Sequence, residues 1–221
     1  MADEHATESK PILATGLRLN TGEEMNLHPA LTTEQLDQLR DRWTTPAGRE
    51  LVTRLIKIWQ ADSQGWREVA AEIPETDVEA ADPGVLADLR GLAMTNVKLR
   101  GAMLPYADLS YASFHLCDME EIRFQGSKLS EAVFCKCNLK RSDLLQVVAD
   151  HSILDRCDMD DAVLIDADFR SSWIRGVHLP RAVMDEADLR DSRIEYVVLD
   201  DARMLNTQFP VGFDPTSGFG S

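Results

Sequence analysis

Residues 102–116 read Ala102-Met103-Leu104-Pro105-Tyr106, Ala107-Asp108-Leu109-Ser110-Tyr111, Ala112-Ser113-Phe114-His115-Leu116. A small residue opens each group of five, and a large apolar residue stands at its centre. The same phase extends in both directions without a slip. Stepping by five from Leu89 to Phe209 meets 25 consecutive positions, of which only Ala149 is not large and apolar. With 44% hydrophobic residues in the whole chain, chance does not produce such a run. A strand repeats every 2 residues and a helix every 3.6, so a period of five marks a solenoid.

The residues two places before the large ones are mostly small, among them Ala87, Ala107, Ala112, Cys117, Ala132, Cys137 and Ser142. Asp or Asn often stands between the two, as in Ala87-Asp88-Leu89, Cys137-Asn138-Leu139 and Ala187-Asp188-Leu189. This pattern resembles the pentapeptide repeat family, whose motif is A(D/N)LXX. The resemblance implies a mainly β architecture, a right-handed quadrilateral β-helix. Each pentapeptide would form one side of a square, with the central residue and the small one two before it pointing inward. The sequence supports four sides, because inward positions 20 apart share a character. Val97, Cys117, Cys137, Cys157, Val177 and Val197 form one column, while Ala112, Ala132, Ser152, Ser172 and Ser192 form another. About six coils at about 4.8 Å per rung predict a shaft roughly 30 Å long. Ala149 predicts a thin or bent rung beside Val147.

The expected organisation is a polar segment 1–30, an α-helical cap region 31–73, an acidic linker 74–85, the β-helix 86–209 and a tail 210–221 that covers the last coil or joins a partner. Thr32 and Gln35 have capping-box spacing, with Leu36, Leu39 and Trp43 at helical spacing behind them. Thr45-Pro46 predicts a second start, with Leu51, Leu55, Ile58 and Trp59 as its apolar face. Trp66, Val69 and Ile73 predict a short third helix. The open edges of the solenoid need cover, and the tryptophan faces of these helices are expected to supply it at the first coil.

The net charge of −15 and pI near 4.7 argue against direct binding of nucleic acid. No apolar run is long enough to span a bilayer. The acidic start is unlike a secretory signal. The cysteine pattern suggests no disulfide framework, so a reducing cytoplasm is the expected location.

The inward Cys117, Cys137 and Cys157 form a core column with valines above and below it and read as packing, not as a metal site. The outward His115, Cys135 and Asp155 line up on one face. There the cysteine lies in the middle, whereas a nucleophilic triad needs a central histidine. No catalytic residue, metal site or cofactor is expected. Another face alternates in sign coil by coil, from Lys98 and Arg100 to Asp118, Glu120 and Glu121, then Lys140 and Arg141, then Asp158, Asp160 and Asp161. Such a ladder neutralises itself.

Two apolar groups occupy outward positions and are the candidate partner-binding residues: Val133, Ile153 and Trp173 on one face, and Leu145, Val163, Ile165 and Val183 opposite. Val133, Ile153 and Trp173 are expected either to face water and dock a partner or to lie under the N-terminal arm. These readings predict a non-enzymatic scaffold that presents a rigid surface to a protein partner. The family resemblance implies an alternative, a DNA mimic that binds DNA gyrase and protects it from quinolones or other poisons, often as an end-to-end homodimer through the C-terminal coil. Residues 86–209 hold 21 acidic and 15 basic residues, so the acidity of the repeats is modest for such a mimic.

Overall fold

The computed structural model describes residues 31–61, 65–74, 76, 78 and 87–216. The expected segment 1–30, most of the expected linker 74–85 and residues 217–221 of the expected tail lie outside the described residues. Three helices lead into the solenoid: α1 (Thr33–Thr44), α2 (Pro46–Gln60) and α3 (Trp66–Ala70). The capping box at α1 is complete. Thr32 Oγ1 accepts from the Gln35 N–H at 3.3 Å, and the Gln35 side chain accepts from the Thr32 N–H at 2.8 Å. Thr45 caps α2 by accepting from the Gly48 N–H at 2.9 Å, with Pro46 in the first turn where a missing N–H costs nothing.

Eight short strands follow: β1 (Ala87–Asp88), β2 (Ala93–Thr95), β3 (Ala107–Asp108), β4 (Ser113–His115), β5 (Val133–Cys135), β6 (Ile153–Asp155), β7 (Trp173–Arg175) and β8 (Arg193–Glu195). Every pairing is parallel and joins residues 20 apart, such as Phe114 with Phe134 and Leu154 with Ile174. Strands β2-β4-β5-β6-β7-β8 stack into one six-stranded face. We call this the second face and number the others in chain order. The first face runs from Asp88 through Asp108, Lys128, Val148, Asp168 and Asp188 to Gln208. The third runs from Lys98 to Val198, and the fourth from Met103 to Arg203, through bridges at the same spacing. The columns inferred from sequence are therefore the four sides of a parallel β-helix.

The corners come from a conformation that the apolar pattern does not reveal. Every fifth residue from Gly91 to Asn206, two places after each central residue, has φ between 53° and 71°. Side chains of most kinds occupy these left-handed corners, including Leu116, Arg141, His151 and Tyr196. An isolated left-handed residue other than glycine costs on the order of 1–2 kcal/mol. Here many corners are held from two directions. On the first, third and fourth faces a turn closes across it, as from the Ala112 N–H to the Leu109 carbonyl at 3.0 Å. The corner N–H also bonds the next coil, as from Tyr111 to the Ser130 carbonyl at 3.0 Å. Among the described residues no such turn bond closes the corners after Phe114, Phe134, Leu154 and Ile174, and the second face carries the three-residue strands instead.

The interior is one continuous apolar column from the helical cap to Leu189 and Val197. Phe114 and Phe134 stack at 5.1 Å between ring centroids, and Phe124 meets Phe134 edge-on at 6.3 Å. Leu139 is buried, whereas its neighbour Lys140 reaches outward to Asp158 at 2.9 Å. Leu139→Ala is expected to cost about 2–5 kcal/mol, because the stacked rungs cannot close the gap. Lys140→Ala should leave stability nearly unchanged. Equal losses of the two variants in a denaturant titration would contradict the inward and outward assignment.

The Ala149 rung, expected to be thin or bent, has a larger residue beside it. Val147, at the small inward position, is buried beside it, where the same column has Ala107 and Ser127 in the coils before and Ala167 in the coil after. The valine returns most of the volume that the alanine omits. Ala149→Leu alone is therefore expected to overpack the rung and cost about 1–3 kcal/mol. Val147→Ala combined with Ala149→Leu should recover most of that loss. A melting temperature raised by the single change would show that an unfilled space exists after all.

The first coil would leave a row of carbonyls open, and the helices close it with side chains. The Arg90 carbonyl accepts from Arg42 at 2.8 Å and from the Trp43 indole N–H at 2.9 Å. The Lys98 carbonyl accepts from the Gln60 amide at 3.0 Å. Arg42 also grips the Asp88 carboxylate at 2.8 and 3.1 Å. Gly91 lets α1 approach closely, since a Cβ there would meet the Leu39 backbone at 2.9 Å. The tryptophan side of the cap, with Trp59 and Trp66 at 6.3 Å, belongs to the same core as Leu89 and Leu92.

Candidate interaction surfaces

The inward cysteines serve packing. Cys117, Cys137 and Cys157 are buried, carry no disulfide, and direct their S–H groups to backbone carbonyls such as Phe114 and Phe134, each at 3.4 Å from the sulfur. The bond with Cys137 and burial together push the Cys117 thiol far above its ordinary pKa. On the second face His115, Cys135 and Asp155 are register neighbours. Cys135 Sγ lies 3.6 Å from Asp155 Oδ2, an oxygen already held by Arg156 at 2.7 Å. Burial and the Asp155 charge raise the Cys135 pKa, the opposite of what a nucleophile needs. Among the described residues no group of His, Cys, Asp and Glu is arranged to hold a metal ion.

The third face is a ladder of closed ion pairs. Arg100 reaches Glu120 at 3.0 Å, Arg141 bonds Glu120 and Glu121, Lys140 meets Asp158, and Arg181 spans Asp160 and Asp161. The bonds from Arg181 draw the Asp161 pKa down. The first face neutralises itself differently, within one strand, through Asp168 with Arg170 and Asp188 with Arg190, each at 2.6 Å. These pairs offset part of the acidity along the shaft.

The two apolar groups part company. Val133, Ile153 and Trp173 do stack in one outward column. Yet Ile153 is 5% exposed and Trp173 2%, while Val133 is half-buried. The expectation that this column faces water is therefore corrected: its two larger members are covered. On the fourth face Val163 pairs with Val183, and Leu145, Val163, Ile165 and Val183 all stay partly exposed. Charge and size could not separate these columns in the sequence, since both place apolar groups where the repeat points outward.

Comparison with known proteins follows the same architecture. The family model described as pentapeptide repeats matches residues 85–120, 117–148 and 146–179, with 8 copies. No curated protein sequence matches. Similar solved structures include QnrB1, a plasmid-mediated fluoroquinolone resistance protein, at 18% identity over 52% of this chain and 71% of that one, with a TM-score of 0.35. HetL, involved in heterocyst differentiation regulation in the cyanobacterium Nostoc, is 15% identical over 62% of this chain and 92% of its own, with a TM-score of 0.29. A pentapeptide repeat protein from the Arabidopsis thaliana thylakoid lumen is 15% identical over 49% of this chain and 66% of its own, with a TM-score of 0.24. At these identities and scores the neighbours carry nothing about function. The recognised repeats lie within a 20-residue register that continues unbroken to Gln208, and on these grounds the chain belongs to the pentapeptide repeat family.

Proposed function

We propose that this protein is a non-enzymatic interaction module whose fourth face docks a protein partner. The observation that carries the reading is the partly exposed cluster of Leu145, Val163, Ile165 and Val183 on a shaft whose inward positions are already filled. These side chains add nothing to the core, and their burial by a partner would release apolar surface from water at about 25 cal/mol per Å² before association costs. A rigid parallel ladder presents them without an ordering penalty. The free cysteines fit a reducing cytoplasm. Among the described residues no helix is long and apolar enough to cross a membrane.

Val163→Asp with Ile165→Asp is the direct test, since both side chains point away from the core. The double variant should keep its fold and lose the proteins that the wild type captures from extracts of its source organism. Capture of the same proteins with equal yield would remove the fourth face from consideration. A narrower reading makes the partner DNA gyrase, approached through imitation of DNA, and the overall charge of −15 favours it. The paired ladders of the first and third faces weigh against it, because a mimic needs uncompensated negative charge. Failure of the purified protein to alter gyrase supercoiling, with or without a quinolone, would discard it. The last coil supports an end-to-end homodimer, since Ile194, Leu199, Met204 and Phe209 are only partly buried there. Sedimentation at several concentrations measures it.

A further inference from the structure

Along the centre of the fourth face the main-chain groups are engaged between rungs. The Val163 N–H donates to the Ser142 carbonyl at 2.9 Å, and the Leu144 and Leu164 N–H groups donate to the Val163 and Val183 carbonyls at 2.8 and 2.7 Å. A peptide strand adds to a sheet only through backbone groups that are still open, so this face meets a partner with side chains. What docks there must arrive with its own backbone bonds made, as an α-helix does. The spacing of the apolar cluster agrees. Leu145, then Val163 with Ile165, then Val183 occupy three successive rungs. Two steps along the shaft cover about 9.6 Å. Two steps along the apolar stripe of a helix, seven residues, cover about 10.5 Å. Same-side residues of an extended strand laid along the shaft would cover about 13 Å in two steps, which leaves the register.

Resting on the reading that the fourth face docks a protein, we infer that the docked element is an amphipathic α-helix lying along the shaft. Its apolar side meets Leu145, Val163, Ile165 and Val183, and it is basic along one flank only. The two borders of the face set that asymmetry. Over these three rungs the corners toward the third face read Arg141, Asp161 and Arg181, and the corners toward the first face read Gln146, Asp166 and Glu186. On the first of these borders Arg181 bonds Asp161 and Arg141 bonds Glu121, each at 2.9 Å, so its charges are balanced. Within the face Arg123 and Asp143 are register neighbours, and Arg203 holds Asp185 at 2.6 Å. The negative excess beside the cluster therefore lies at Asp166 and Glu186, both exposed and one rung apart. Lys or Arg residues three or four apart on a helix have the spacing to reach both. A helix basic on both flanks would set like charge against Arg141 and Arg181.

The probe is a fluorescein-labelled synthetic peptide of about five helical turns, with Leu at i, i+3 or i+4, and i+7, Lys along one flank and Gln elsewhere. Fluorescence anisotropy should show it binding the full-length protein, with a gain of helical circular dichroism on binding. Val163→Asp with Ile165→Asp should weaken the affinity about ten-fold or more, the loss expected when the centre of an apolar contact acquires charge. Asp166→Asn with Glu186→Gln should weaken it several-fold and flatten its salt dependence. Unchanged affinity in either double variant would overturn the proposal. So would equally tight binding of a peptide of the same composition with its leucines scrambled off one face, or of an analogue with Glu for every Lys. A helical peptide that does not bind, while capture from extracts still depends on Val163 and Ile165, overturns the helix and leaves the docking face standing. Capture that is indifferent to those residues removes both. If the Val163→Asp and Ile165→Asp chain loses its far-UV spectrum, the corner variant decides alone, and unchanged affinity there overturns the proposal.

Discussion

Phe134→Ala is expected to lower stability by about 3–5 kcal/mol. Phe134 is the centre of β5 and is buried. Its ring carries the stack with Phe114 and receives Phe124 edge-on, contacts worth roughly 0.5–1.5 kcal/mol beyond simple burial. The cavity would persist, because the backbone around it is held on both sides. Val133 donates to the Ala112 carbonyl and Ile153 to the Ala132 carbonyl, both at 2.9 Å. A solenoid is stabilised rung by rung through neighbours, so a defect in the middle also weakens the coupling between its halves. Guanidinium unfolding should show the loss, together with a broadened or split transition. A loss under about 1 kcal/mol would mean that the rungs collapse around the gap and that the shaft is softer than its hydrogen bonding implies.

Arg42→Ala is expected to cost about 3 kcal/mol, near the lower end for breaking a buried ion pair, since the Asp88 side chain keeps 29% of its exposure. The change removes both bonds to the carboxylate and one to the Arg90 carbonyl, and it loosens the cap that closes the first coil. The pH dependence separates this cause from lost packing. Burial by itself would raise the Asp88 pKa, but the bonds from Arg90 and Arg42 outweigh it and hold the carboxyl well below the usual carboxylate range. A group lowered in the folded state stabilises fully above its unfolded pKa, about 3.9 for Asp, and loses that contribution as pH falls toward the folded value. The difference between wild type and Arg42→Ala should therefore be largest at neutral pH and shrink below about pH 4. An equal difference at pH 7 and pH 3 would assign the loss to packing alone.

Much of the fold was legible because the code is periodic. The inward columns follow from Leu89, Met94 and their successors, since a side chain on a regular strand has only two directions to point. The helix starts at Thr32 and Thr45 were equally legible, because capping depends on a few adjacent residues. The left-handed corners were not. The only hint is that Gly91, Gly101, Gly126 and Gly176 all share the corner phase, yet Leu116, Arg141 and Tyr196 adopt the same φ. Hydrogen bonds of the coil impose the conformation, so the corner residues need not advertise it. The edge-closing roles of Arg42, Trp43 and Gln60 were hidden for a related reason, as each acts on a carbonyl at least 38 residues away.

The periodic pattern, read with the family resemblance, set the four-sided parallel shaft, its register of 20 and the residues inside it, because a repeated local pattern restricts how its apolar positions can be buried. It also placed Val133, Ile153 and Trp173 in one column, and Leu145, Val163, Ile165 and Val183 opposite. Only the tertiary structure decided that Ile153 and Trp173 are covered while Val163 and Ile165 keep partial access to water. The physical reason is that exposure is not a property of a residue or of its position in the repeat. It depends on what else packs on the face, which the period of the repeat does not encode.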